Sequence, residues 1–216
     1  MRGWCEREVQ RELPGLGLMS ATIDVELGRS LTGASSSAVI GRLRELSNRW
    51  RGARAVNVRQ ERIPAAYRVF FRHIGLDPDV TRTPIEAAVL ERMLDGGFLS
   101  EGLLADILTI GLIDTAVPVW ALDADTLDGP LGIRLTRPDE RLGRGPEGPR
   151  LGPGRLVVAD AEHALATLFG EPAPDHAPGS GTRRLSLFAV QVAGVPALHV
   201  EETLWACRSA LGAGEP

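Results

Sequence analysis

Lysine is absent from this 216-residue chain, and all 24 of its basic side chains are arginine. The absence excludes Schiff-base chemistry and the lysine of a phosphate-binding P-loop. GC-rich codon usage is the favoured cause; a preference for guanidinium forks at phosphates would leave the same mark. Cysteine is scarce. Cys5 and Cys207 are too few for a disulfide framework or a cysteine metal cage. The four histidines, His73, His163, His176 and His199, form no i, i+4 pair and no H-E-x-x-H. No metal and no cofactor are therefore expected. There is no G-x-S-x-G elbow, so nucleophilic serine catalysis is not indicated. Met1 is not followed by a charged and then an apolar region, so no secretory signal is expected. The most apolar stretch, Leu103 to Leu122, carries Asp106, Asp114 and Pro118, which argues against a membrane span. The cytoplasm is the expected compartment. Gly143, Gly145 and Gly148 match G-x-G-x-x-G literally, but Pro146 and Pro149 forbid the helix that a dinucleotide site must open.

What the chain does have is an ordinary globular balance of 44% apolar and 24% charged residues, over a length that suits one domain spanning 1–216. Its order predicts a helix-rich part over about 1–115 and a strand-rich part over about 116–216. Trp4 to Leu13 reads as a helix ended by Pro14-Gly15, and Leu16 to Glu26 as a strand with Leu16, Leu18 and Ile23 facing in. Ser36 or Ser37 can cap a helix carrying Val39, Ile40, Leu43, Leu46 and Trp50 at helical spacing. Pro64 opens a helix with Ala66, Phe70 and Ile74 on one face, closed at Gly75. Thr83-Pro84-Ile85-Glu86 is a capping-box pattern, and its helix stops at Gly96-Gly97. Leu103 to Asp114 is a further helix. Val117 to Leu122, Leu131 to Thr136, Arg155 to Ala159, Leu165 to Phe169 and Leu185 to Val192 read as strands, and Val200 to Leu211 as a last helix. Gly143 to Pro153 and Glu171 to Gly181 are loops, the first expected to be exposed and mobile. The fold class is mixed α/β, with helices packed on one side of a mixed sheet.

Charge is unevenly placed. The whole chain carries −4, yet Gly41 to Gly75 holds nine arginines against Glu45 and Glu61, a local +7 (9 − 2). Trp50, Tyr67, Phe70 and Phe71 are interleaved with them. Two amphipathic helices with solvated outer faces explain the pattern; so does a phosphate footprint. On the second reading Arg44, Arg51, Arg54 and Arg59 are the RNA-binding candidates. Arg62 and Arg68 could instead anchor the helix at Pro64.

Several strings together resemble the B3/B4 editing domain of the phenylalanyl-tRNA synthetase beta subunit in a standalone form. They are Leu13-Pro14-Gly15-Leu16; Tyr67-Arg68 through Phe71-Arg72 to Ile74-Gly75-Leu76-Asp77-Pro78; Glu86-Ala87 with Leu90 and Arg92; Leu104-Ala105-Asp106-Ile107 leading to Val117-Pro118 and Asp123-Ala124-Asp125; Gly154 to Asp160; and Thr182 with the strand that follows it. Their collinear order from about Leu13 to Leu211 carries the likeness. It implies a layered α/β fold around a pocket that receives a mischarged aminoacyl end of tRNA and hydrolyses the ester. Thr109 stands where the family usually has Asn, Leu112 where it has Ser, and Trp120 where it has Gly; Pro84 and Ile85 replace small polar residues.

Two functions are therefore expected in competition. The first is trans-editing of a mischarged aminoacyl-tRNA, with Glu86, Asp106 and Thr109 as polar pocket residues and a positioned water as the nucleophile. The second is non-catalytic binding of RNA or a small amino-acid-like ligand, motivated by the changed Asn and Ser positions. For Asp106 a third role, capping a neighbouring loop, weighs equally. The sequence fixes no oligomeric state.

Overall fold

The computed structural model describes residues 1–25 and 30–212; the last residue of the expected Leu16 to Glu26 strand lies outside them. The chain runs β1 (Trp4–Cys5), α1 (Arg7–Glu12), β2 (Gly17–Asp24), α2 (Ser37–Arg49) and α3 (Ala53–Asn57), the last continuing into a 3-10 turn over Val58–Gln60. Next come α4 (Arg62–His73), α5 (Pro84–Asp95), α6 (Leu103–Thr115) and β3 (Val119–Asp123). A 3-10 turn over Ala124–Thr126 leads to β4 (Gly132–Leu135), β5 (Leu156–Ala159), β6 (Ala164–Thr167), β7 (Arg184–Gln191) and α7 (Ala197–Gly212).

The mixed α and β content is as the pattern predicts, but the strands form two sheets and not one. β2, β7 and β3 make an antiparallel sheet with β7 in the centre; β1, β4, β5 and β6 make a mixed sheet in which only β1 and β4 run parallel. β2 and β7 pair over eight residues, from Gly17 opposite Gln191 to Asp24 opposite Arg184. Leu16, Leu18 and Ile23 face inward as expected.

Helix capping follows local chemistry. The Ser36 hydroxyl accepts the Val39 N–H at 3.4 Å, and Thr83 and Glu86 close the capping box with Pro84 in the first turn. Gly75 and Gly96 take the left-handed conformation at helix ends. The first expected helix is shorter at its start: Trp4 and Cys5 are extended and pair with Gly132 and Ile133. The Trp4 indole lies on Gly132, where a Cβ would come within 2.0 Å of the ring, and its N–H donates to the Pro130 carbonyl at 2.9 Å.

One core cluster draws on both halves of the chain, from Val9, Leu18 and Tyr67 to Ile133, Leu187 and Val200. α7 lies against β2 and β7, α6 against α7, and α2 against α6. Gly111 permits the α6–α7 approach, since a Cβ there would meet the Cys207 sulfur at 2.6 Å; the Thr115 and Thr203 hydroxyls bond at 2.6 Å beside it. A second cluster, with Leu46, Trp50, Val58, Ile85, Val89 and Ile113, seals α2, α3, α5 and α6 together.

The Gly143 to Pro153 segment is exposed over most of its length, yet it is tied at its start. The Gly143 N–H donates to Ala164 on β6 at 2.8 Å, and the Arg144 N–H to Asp175 at 2.6 Å. No helix among the described residues is long and apolar enough to cross a membrane.

Candidate functional site

A cleft of about 570 Å³ opens where α1, the end of α4, and strands β4, β5 and β6 meet. Val9, Leu13, Ile74, Leu76, Leu156 and Leu168 make its apolar walls. Glu8, Glu12, His73 and Arg155 also line it and are exposed, and Thr167 adds a half-buried hydroxyl. An apolar floor under charges of both signs suits a small ligand with an apolar body and a polar or zwitterionic end. Helix α1 supplies two of the acids because Val9 alone of its residues is buried, which turns Glu8 and Glu12 outward.

None of the three residues expected in a pocket lines this cleft. Glu86 opens α5: its carboxylate accepts the Thr83 N–H and hydroxyl at 3.2 and 2.7 Å and the Arg68 guanidinium at 2.6 Å. Arg68 also reaches Asp79 at 2.5 Å, so it anchors α4 to α5. Asp106 is buried on α6 and accepts the Ser35 and Ser100 hydroxyls, both at 2.5 Å, and the Glu101 N–H at 2.8 Å. It thereby ties together the loops that lead into α2 and α6. Among the described residues Glu86 and Asp106 share no hydrogen-bond partner. Thr109, half-buried on α6, makes no side-chain hydrogen bond among the described residues.

The arginine segment folds as α2, α3 and α4, and its charges divide into two groups. Arg42 binds Glu45 at 2.6 Å and Asp114 at 2.8 Å, and Arg49 binds Asp114 at 2.5 Å. Arg68 and Arg72 face Asp79. Arg44, Arg51, Arg59 and Arg62 are exposed and have no carboxylate in ion-pair range among the described residues; Arg51 bonds only the Asn48 side chain. Arg54 lies 4.6 Å above the Trp50 ring and 3.7 Å from Glu61, so it is held in place by both.

Sequence reasoning missed a cluster of Asp128, Asp160 and His163, whose ligand atoms lie within 4.8 Å of one another. Asp160 is buried and accepts the N–H groups of Asp128, Glu162 and His163 at 2.7–2.9 Å. Burial pushes its carboxyl up, but these donors outweigh it and hold the group below the usual carboxylate range. Asp128 binds Arg144 at 2.7 Å. Both acids thus have donors already, and the cluster is a chain-reversal anchor. His176 is buried nearby, its ring 6.1 Å from that of His163. Its Nδ1 meets the Thr126 hydroxyl at 2.9 Å; its Nε2 has no hydrogen-bond partner among the described residues and stands 4.0 Å from Asp175; burial pulls its pKa down. No spacing rule joins residues 128, 160, 163 and 176; only the Asp160 position at a strand end hints at a turn.

No protein-family model matches the chain. A phenylalanine–tRNA ligase beta subunit from Xylella fastidiosa (strain Temecula1) is 37% identical over 98 residues, 45% of this chain and 11% of that protein. The beta subunit of Xanthomonas campestris pv. campestris (strain 8004) is 38% identical over 100 residues, 44% of this chain and 12% of that protein. The one from Xanthomonas euvesicatoria pv. vesicatoria is 35% identical over 98 residues. The chain is related to these beta subunits over nearly half its length, and the match spans about a ninth of theirs.

Proposed function

We propose that this chain is a B3/B4-type editing domain that acts in trans on a mischarged aminoacyl-tRNA. The observation that carries the reading is the relation to phenylalanine–tRNA ligase beta subunits. The unpaired arginines support it. Arg44, Arg51, Arg59 and Arg62 offer guanidinium groups to phosphates without first breaking an ion pair. Helix α4 begins at Arg62, three residues after Arg59, and ends at His73 in the cleft. At 1.5 Å per residue its twelve residues cover about 18 Å, a span that lets a bound strand reach from one to the other.

In this reading the cleft receives the aminoacyl end. Ester hydrolysis needs a proton acceptor for water and donors toward the developing oxyanion. Glu8, Glu12 and His73 are the acceptors at the cleft, with Arg155 and Thr167 as donors. Glu86 steadies α4 through Arg68, while Asp106 and Thr109 stand outside the cleft. The test is deacylation of a panel of mischarged tRNAs. Turnover lost in E8Q/E12Q but kept in T109A places the chemistry in the cleft; no turnover with any substrate ends the editing reading. Should free amino acids alone raise the melting temperature, without hydrolysis or RNA binding, non-catalytic ligand binding replaces it.

A further inference from the structure

Asp128, Asp160 and His163, which anchor the chain reversal between β5 and β6, have ligating capacity to spare. Asp160 is buried, and backbone N–H groups take three of the roughly four lone-pair sites on its carboxylate. Asp128 lends one oxygen, Oδ2, to Arg144 at 2.7 Å. The His163 Nδ1 is shut off from solvent and makes no hydrogen bond among the described residues. It nevertheless stands 3.4 Å from Asp128 Oδ2 and 3.9 Å from Asp160 Oδ1. Two atoms bound at about 2.0–2.1 Å to one tetrahedral ion lie about 3.4 Å apart. The three groups are spaced as ligands of one ion are, and not as hydrogen-bond partners are.

A second imidazole is set beside them. His176 is wholly buried, with its ring 6.1 Å from that of His163. The Thr126 hydroxyl donates its one proton to the Asp123 carbonyl at 2.8 Å, so it accepts from the His176 Nδ1 at 2.9 Å. The Nε2 then carries a bare lone pair. It meets no hydrogen-bond donor among the described residues and stands 4.0 Å from the Asp175 carboxylate. A buried lone pair beside a carboxylate is unfavourable until a cation answers both. One nitrogen fixed by a hydrogen bond and the other bare is also the arrangement of a metal-ligating histidine. Arg144 supplies the positive charge here, donating to Asp128 and to the Thr126 carbonyl, both at 2.7 Å. A second cleft, of about 430 Å³, has Arg144, Glu162 and His163 in its wall and gives an ion a way in.

We infer that Asp128, Asp160 and His163 form a site for one divalent transition-metal ion of the zinc class, with the His176 Nε2 drawn in as fourth ligand once the Arg144 guanidinium swings aside. Two carboxylates and two imidazoles suit such an ion, whereas magnesium and calcium take oxygen ligands. The bound ion ties the segment before β4, the β5–β6 turn and the loop before β7 to one point. The inference goes beyond the editing reading and does not depend on it.

The test titrates zinc chloride calorimetrically into the full chain and uses cobalt chloride to read the ligand geometry from its visible absorption. The wild type should take up one zinc per chain and show the intense bands of four-coordinate cobalt. H163A keeps the backbone N–H that Asp160 accepts, and D128N keeps the shape of its side chain; each should weaken zinc binding about tenfold or more. H176A should shift the cobalt bands, as water takes the place of the imidazole. R144M removes the competing guanidinium and should bind zinc about tenfold more tightly, a gain that a misfolded chain cannot show. H199A removes an outlying imidazole, 3.5 Å from Glu202, and should bind zinc as the wild type does. The inference is overturned if the wild type takes up no zinc, if H163A and D128N bind it as well as wild type, or if H199A abolishes uptake. It is equally overturned if R144M binds no more tightly or if H176A leaves the cobalt bands unchanged.

Discussion

Arg68 and Glu86 are each about nine-tenths shielded, and each holds the other across two helices. Replacing Arg68 with alanine leaves a buried carboxylate with only Thr83 as donor. Breaking a buried pair from one side typically costs about 3–5 kcal/mol. R68A should therefore lower unfolding stability by about 3 kcal/mol in urea titration, and the paired change R68M/E86L should cost much less. A loss under about 1 kcal/mol for R68A would show that water reaches the site. His176 gives a pH signature. Burial depresses its folded pKa below the unfolded value of about 6.5, so the unfolded chain takes up the proton first. Its contribution is present above pH 6.5 and is lost as pH falls toward the folded pKa. The melting temperature should drop between pH 7.5 and 5.5, and H176N should flatten that slope. Cys207 is pushed up to about 12 by burial, so a thiol reagent at pH 8 should label Cys5 and spare Cys207 until the protein unfolds.

Among the elements, those with both a periodic face and a punctuating residue were legible: α2, α4, α5, α6, and the longer strands β2, β3 and β7. The elements that escaped were short. β1 is two residues whose pairing depends on a glycine 128 positions away (132 − 4), and α3 is five residues after Gly52, too few to display a period. The division into two sheets was hidden for the same reason, since partner choice is a long-range property. At the site, Arg68 as an anchor and Asp106 as a loop cap were readable alternatives. The cleft was not, because its walls come from α1, α4 and three strands that no motif links. The Gly143 to Pro153 loop makes the element-scale prediction. Excising Gly145 to Gly148 should cost little, since closure entropy changes slowly with loop length. R144A should cost more, by about 1 kcal/mol, because it removes the arginine partner of Asp128, leaving His163 at 3.4 Å, and a bond to the Thr126 carbonyl. Equal losses in thermal melts would mean that the loop is not held at Arg144.

At the scale of the whole molecule, a net charge of −4 coexists with an arginine-rich segment, and on the proposed editing reading RNA binding should depend steeply on salt. The fourfold variant R44E/R51E/R54E/R59E should bind tRNA more weakly at every salt concentration and with a shallower slope. Each lost phosphate contact removes about 0.7–0.9 from the log–log slope. Stability should fall little, since three of the four make no ion pair among the described residues; only Arg54 also gives up its place over Trp50. Identical slopes for the two proteins would mean that these arginines merely face water.

The antiparallel sheet has a consequence for synthesis. Its central strand, β7, begins at Arg184, and both neighbours, β2 and β3, pair with it and not with each other. At ribosomal speeds of roughly 5–20 residues per second, β2 waits on the order of ten to thirty seconds for its partner. Throughout that interval the eight residues of β2 carry an unsatisfied hydrogen-bonding edge and the exposed side chains of Leu18 and Ile23. A nascent chain halted before Arg184 cannot build this sheet at all, so the sheet closes only once its last strand has been made.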